Sequence, residues 1–131
     1  GCSMGAYHAV NFFLQHPDVF NKVIALSGVY DARFFVGDCL DDEAIYQNSP
    51  ADYIWNQNDG WFIDHYRNAD IIVCTGLGAW EQDGLPSFYT LKEAFEHKNI
   101  PAWFAEWGYD VSHDWIWWRK QMPYFLSQLN L

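Results

Sequence analysis

The chain has 131 residues, of which 50% are apolar and 20% aromatic, and it carries a formal net charge of −10. That is enough chain for one domain with a real core, while the acidity argues against nucleic acid or an anionic membrane as partner. No apolar run approaches the roughly 18–20 residues a bilayer span requires. The acid is spread through the chain, with one local cluster at Asp38, Asp41, Asp42 and Glu43. That cluster lacks the alternating oxygen ligands and central Gly of a calcium loop, and reads as a solvated loop leading into a helix. The three cysteines, Cys2, Cys39 and Cys74, form neither a disulfide framework nor a C-x-x-C pair. Reduced thiols and a cytoplasmic location are therefore expected. His8, His16, His65 and His97 stand singly, so no metal site and no cofactor is expected.

Residues 1–5, Gly1-Cys2-Ser3-Met4-Gly5, spell G-x-S-x-G. This is the pattern of a nucleophile elbow, a strand-to-helix turn that presents a serine hydroxyl. Glycines two positions to either side are expected where a Cβ would collide with a neighbouring strand or helix. The chain opens on this pattern without an initiator Met or a signal peptide, which suggests a fragment or a processed piece. Ala6, Val10, Phe13 and Leu14 follow at helical spacing, and His16-Pro17 ends the helix. Val23–Gly28 is a short apolar run closed by Gly, the sign of a buried parallel strand.

Residues 29–69 show no clean period and scatter nine large aromatics, from Tyr30 to Tyr66, among polar residues. They read as short helices and loops forming a cap-like insertion over the sheet end, or simply as a segment packed onto the domain. Within it, Ser49-Pro50 marks a short helix start, and Asp59-Gly60 reads as a turn. Ile71–Gly76 is a second buried strand, followed by the loop Leu77–Gly84. Pro86 opens a helix with Phe88, Leu91 and Phe95 on one face. Residues 102–107 form the last strand. The loop Tyr109–His113 then leads into a final helix from Asp114, with Trp118, Met122, Phe125, Leu126 and Leu129 facing inward and Pro123 a kink or break. The alternation predicts an α/β fold, a mostly parallel sheet with flanking helices. Its chemistry belongs in loops beyond the carboxyl ends of the strands.

A serine hydroxyl needs an adjacent base near neutral pH. His113 is the candidate, and Glu81, in the loop after the preceding strand, is the carboxylate chosen to orient it; Asp83 and Asp110 remain alternatives. The order Ser3…Glu81…His113 is that of an α/β-hydrolase. Cys2 reads as a packed, inert thiol. Trp115, Trp117 and Trp118 read as helix core rather than substrate groove.

Three segments carry a family resemblance: Gly1–Ala9 (GCSMGAYHA), Val23–Asp31 (VIALSGVYD), and Trp107-Gly108 with Ser112-His113-Asp114-Trp115. Together they resemble the putative-esterase branch of the α/β-hydrolase superfamily, small serine esterases related to esterase D and S-formylglutathione hydrolase. The resemblance spans the whole chain but only the carboxyl half of a family member. It implies the α/β-hydrolase fold, Ser3 as nucleophile, His113 as base and the Met4 N–H as one oxyanion donor. It also implies strands before the elbow and a second oxyanion donor that this sequence does not contain, leaving the elbow no strand to depart from. Many relatives place an Asp soon after the Gly ending the penultimate strand, whereas Gly78 here is followed by Ala79, Trp80 and then Glu81. The expected activity is cleavage of a small-molecule ester or thioester through an acyl-serine intermediate. The alternatives are a non-catalytic binding or assembly protein of the same fold, or an inactive fragment prone to self-association. A homo-oligomer is compatible with the composition.

Overall fold

The computed structural model describes residues 1–37 and 41–129; Asp38 of the acidic cluster and the Cys39 thiol lie outside them. Three short strands, β1 (Lys22–Leu26), β2 (Asp70–Thr75) and β3 (Trp103–Glu106), make a parallel sheet in the order β1-β2-β3. Val23 pairs with Ile71 and Leu26 with Cys74, while Ile72 pairs with Trp103 and Thr75 with Glu106. Parallel neighbours need crossovers. Residues 27–69 supply the first and α6 (Leu85–His97) the second.

Successive strand residues point to opposite faces, and this sorts the core into two layers. Val23, Ala25, Ile71 and Val73 face one side, against Ala6, Val10, Phe13 and Leu14 of α1 (Met4–Gln15) and Phe88, Leu91, Ala94 and Phe95 of α6. Ile72, Cys74 and Leu26 face the other side, against Trp118 and Phe125 of α7 (Trp115–Gln128). The apolar spacings read in the sequence for α1 and α6 are thus the buried faces. The inward face of α7 differs in part. Gln121 is fully buried, whereas Leu126 is exposed, because the helix turns only a narrow stripe toward the sheet. Pro123 does not break α7. The helix runs through it, and the ring sits on an exposed face where its missing N–H is tolerated.

The segment after β1 forms α2 (Arg33–Val36), α3 (Glu43–Tyr46), α4 (Pro50–Tyr53), a 3₁₀ turn (Ile54–Asn56) and α5 (Gly60–Arg67). Asp42 caps α3 by accepting from the Ala44 N–H at 2.9 Å. Asp59-Gly60 is a helix start rather than a free turn, because the Asp59 carboxylate accepts from the Trp61 N–H at 2.9 Å and caps α5. Ala51, Ile54, Ile63 and Tyr66 from this segment are buried in the same layer as α1 and α6, whereas Phe34 and Phe35 of α2 stay exposed beside Ser3.

Gly1–Ser3 lie alongside β1. The Leu26 N–H donates to Gly1 O at 2.9 Å, the Ser3 N–H donates to Leu26 O at 2.9 Å, and Cys2 bridges Leu26 in parallel. The turn at Ser3 thus follows one isolated bridge to the edge of β1 rather than a strand of its own, in keeping with the sequence expectation. Among the described residues no helix is long and apolar enough to cross a membrane.

Candidate active site

The chain enters α1 through Ser3 at φ 54° and ψ −123°, a conformation costly for any residue with a Cβ. The turn is tight enough that a Cβ on Gly1 would lie 2.4 Å from Gly5 O, so only glycine fits at position 1. Gly5 has no such constraint. Among the described residues its Cβ position meets open space, and the residue is exposed. Of the four non-glycine residues with positive φ among those described, three surround one place: Ser3, Ser27 and Trp80. Backbone strain gathered in this way marks a functional site more often than a structural one.

Three loops converge at the carboxyl ends of the strands. Ser3 is in the turn beside β1, Glu81 follows β2 and His113 follows β3. The last two loops are stapled by backbone bonds: the Gly78 N–H to Val111 O at 2.9 Å, the Leu77 N–H to Gly108 O at 3.2 Å, and the His113 N–H to Ala79 O at 2.9 Å. Their approach depends on Gly76, where a Cβ would sit 2.2 Å from Val111 O. The stapling brings Ser3 Oγ to 2.9 Å from His113 Nε2. On the far side of the ring, His113 Nδ1 lies 3.7 Å from Glu81 Oε2. Glu81 is the carboxylate the structure brings to the imidazole. The alternatives Asp83 and Asp110 are exposed, Asp83 at the rim of the cavity in front of Ser3 and Asp110 against Gly108.

Glu81 is only 2% exposed, and a carboxylate so far from water requires hydrogen-bond donors. The Ser27 hydroxyl donates to Oε1 at 2.7 Å, and Thr75 Oγ1 lies 3.3 Å from Oε2. Trp118 Nε1 donates to Ser27 Oγ at 3.0 Å, and the Trp118 ring meets the His113 ring edge to face, 4.9 Å between centroids. Trp118, expected only as helix core, thus also touches the imidazole, and Ser27 and Thr75, unmarked by any sequence motif, sit at the carboxyl ends of β1 and β2 beside Glu81. Met4 is the first residue of α1, a position where a backbone N–H has no intrahelical acceptor. No cluster that could hold a metal ion is found among the described residues.

The model of the Putative esterase family matches residues 1–129. The chain belongs to that family. A search of the curated proteins finds no match. Among solved structures, the chain resembles a ferulic acid esterase at 23% identity and TM-score 0.75, covering 96% of this chain and 48% of that one. It also resembles an S-formylglutathione hydrolase from Agrobacterium tumefaciens, at 16% identity and TM-score 0.76, covering 98% and 46%. A third likeness is to the S-formylglutathione hydrolase of Staphylococcus aureus, at 21% identity and TM-score 0.64, covering 98% and 48%. The chain spans about half the length of these structures. They establish the α/β fold of a Putative esterase member: a parallel sheet flanked by helices, as expected.

In this member of the family, a cavity of about 280 Å³ opens in front of Ser3 and His113. Its apolar wall is Met4, Val29, Phe34, Phe35 and Trp80, with Asp83 on the rim. The nearby thiols are poor nucleophiles. Burial pushes the Cys2 thiol up, and burial together with the Glu81 charge pushes the Cys74 thiol far up, so both stay protonated near neutral pH. Cys2 is half-buried rather than sealed, packing at the edge of the α7-side layer.

Proposed function

We propose that the protein is a serine esterase-type hydrolase that cleaves a small-molecule ester or thioester through an acyl-serine intermediate. The observation that carries this reading is the 2.9 Å approach of Ser3 Oγ to His113 Nε2, with the buried Glu81 carboxylate behind the other ring nitrogen. The turn Gly1–Gly5 acts as the nucleophile elbow. Glu81 favours the tautomer with a proton on Nδ1, which leaves Nε2 unprotonated as an acceptor. The separation of 3.7 Å at Glu81 exceeds a hydrogen bond, and such contacts commonly tighten once substrate is bound.

Ester binds in the cavity with its carbonyl carbon above Ser3 Oγ. As Oγ attacks, its proton passes to Nε2, and the carbonyl oxygen gathers negative charge at the Met4 N–H. One such donor is worth about 10²–10³ in rate. The tetrahedral intermediate collapses, the carbon–oxygen or carbon–sulfur bond to the leaving group breaks, and the imidazolium returns the proton to the departing alcohol or thiol. Water then repeats the sequence on the acyl-serine. His113 takes one proton and returns it to Ser3 Oγ as the acyl–oxygen bond breaks, and the carboxylic acid product leaves and ionises in solvent. Val29, Phe34, Phe35 and Trp80 give the substrate an apolar bed, while Asp83 and the overall acidity disfavour anionic groups near the rim. The partner is a small molecule rather than nucleic acid or membrane.

Hydrolysis of p-nitrophenyl acetate tests the proposal. Wild-type protein is expected to turn it over and Ser3→Ala to leave only the solvent rate. Equal rates in the two proteins would remove Ser3 from the chemistry.

A further inference from the structure

Behind His113, four side chains from separate parts of the chain meet with almost no water: Ser27 after β1, Thr75 at the end of β2, Glu81 and Trp118. Their proton inventory has a single consistent arrangement. An indole N–H only donates, so at 3.0 Å from Trp118 Nε1 the Ser27 oxygen must accept. The one proton of Ser27 is then left for its other partner, Glu81 Oε1, at 2.7 Å. Thr75 has no comparable constraint. Its hydroxyl lies 2.9 Å from Gly76 O and 3.3 Å from Glu81 Oε2, and its single proton serves the nearer carbonyl better. Oε1 is thus pinned by a directed donor, while Oε2 is left for the imidazole. The Trp118 ring also touches the imidazole, standing at 88° to it, a contact that Phe would retain.

We propose that Ser27, its proton aimed by the Trp118 indole N–H, is a positioning residue that fixes the rotation of the Glu81 carboxylate so that Oε2 faces His113 Nδ1. This rests on the reading of Ser3, His113 and Glu81 as the hydrolytic machinery. It accounts for a cost the fold accepts: Ser27 is held at φ 57°, where an L-residue is disfavoured, and that backbone conformation lies beside the hydroxyl's two partners. A glycine would relieve the strain and lose the hydroxyl.

The test uses the full chain with Ser27→Ala and Trp118→Phe, each also in a Glu81→Ala background. Ser and Ala bear the same backbone strain at position 27, so their comparison isolates the hydroxyl. Ser27→Ala is expected to lower kcat for p-nitrophenyl acetate about tenfold or more, the worth of a hydrogen bond to a charged group. KM should stay within about twofold: Ser27 also lines the cavity, but its hydroxyl is engaged by Glu81 and Trp118. Trp118→Phe keeps an aromatic ring but loses the N–H. It should slow kcat less, and should slow it no further when added to Ser27→Ala, since both act through one hydroxyl. With Glu81→Ala, neither change should alter the residual rate.

Nitrogen-15 NMR of the His113 ring gives a readout independent of turnover. The Nδ1–H tautomer should dominate in the wild type and give way partly to Nε2–H in Ser27→Ala or Trp118→Phe. Equal slowing in the presence and absence of Glu81, or an unchanged tautomer with unchanged kcat, would overturn the proposal. Absence of Ser3-dependent hydrolysis in the wild type would instead overturn the functional reading, and the tautomer would still decide whether Ser27 positions Glu81. If Ser27→Ala does not fold, Trp118→Phe carries both readouts.

Discussion

The two sides of the His113 ring are built in opposite ways. Behind it, Glu81, Ser27, Thr75 and Trp118 are all at most 6% exposed, and directed hydrogen bonds run from Trp118 to Ser27 and from Ser27 to Glu81. In front of it, Met4, Phe34, Phe35 and Trp80 are 38–81% exposed and meet the cavity through apolar surface alone. Directed bonds in a dry setting hold atoms to a fraction of an ångström, which proton transfer requires. Apolar surface has no such angular demand, so under the proposed function the front would accept varied groups on a common ester. Rigidity and tolerance are thus separated by the thickness of one imidazole.

Substitutions on the two sides should differ in both size and kind. Glu81→Ala, behind the ring, should reduce kcat about 10³–10⁴-fold in steady-state hydrolysis with little change in KM. A loss under tenfold would mean that the acid side is not part of the chemistry.

A smaller effect concerns stability against pH. Cys74 and Tyr30, buried close to Glu81, have their acidities suppressed by burial first and by the Glu81 charge as a further cause. The folded protein keeps protons there that the unfolded chain releases above about pH 8.5 for the thiol and about 10 for the phenol. Stability supplied by these groups is therefore fully present below those values and falls as pH rises. The loss should be about 1.4 kcal/mol per pH unit for each group past its unfolded value. Urea midpoints measured from pH 7 to 10.5 should fall, and a flat profile would contradict the dry environment assigned to this side.

In front of the ring, Phe35→Ala should raise KM for an aryl ester about 3–10-fold while kcat changes less, because it removes apolar contact rather than geometry. Trp80→Ala should be weaker still, within about threefold in kcat/KM and within about 0.5 kcal/mol in stability, since the ring is 81% exposed. A kcat collapse in Trp80→Ala would show that the indole beside Glu81 helps aim the carboxylate and would blur the division between the two sides.

The parts of this arrangement legible in the sequence are those governed by local pattern. Val23–Leu26 and Ile71–Cys74 are apolar runs ended by polar or glycine residues, and they are strands. Ala6, Val10, Phe13 and Leu14 repeat at helical spacing, and they are a buried face. Ser3 stood out through the G-x-S-x-G pattern, and Glu81 and His113 through their places in the loops after β2 and β3. Ser27 and Trp118 could not be paired, since 91 residues separate them and nothing local requires the indole N–H to meet that hydroxyl. Gln121 defeated the pattern in another way: a polar residue took a core position on α7 while Leu126 stayed outside. The pairing of Gly1–Ser3 with β1 was hidden because two residues are too few to show a strand period.

Covalent capture gives the most direct view of Ser3 as the proposed nucleophile activated by His113. Wild-type protein treated with a fluorophosphonate should gain one adduct in intact-mass analysis, mapping to the peptide that contains Ser3. Ser3→Ala should gain none, and His113→Ala should react much more slowly. No adduct on the wild type, or an adduct that persists in Ser3→Ala, would contradict the account.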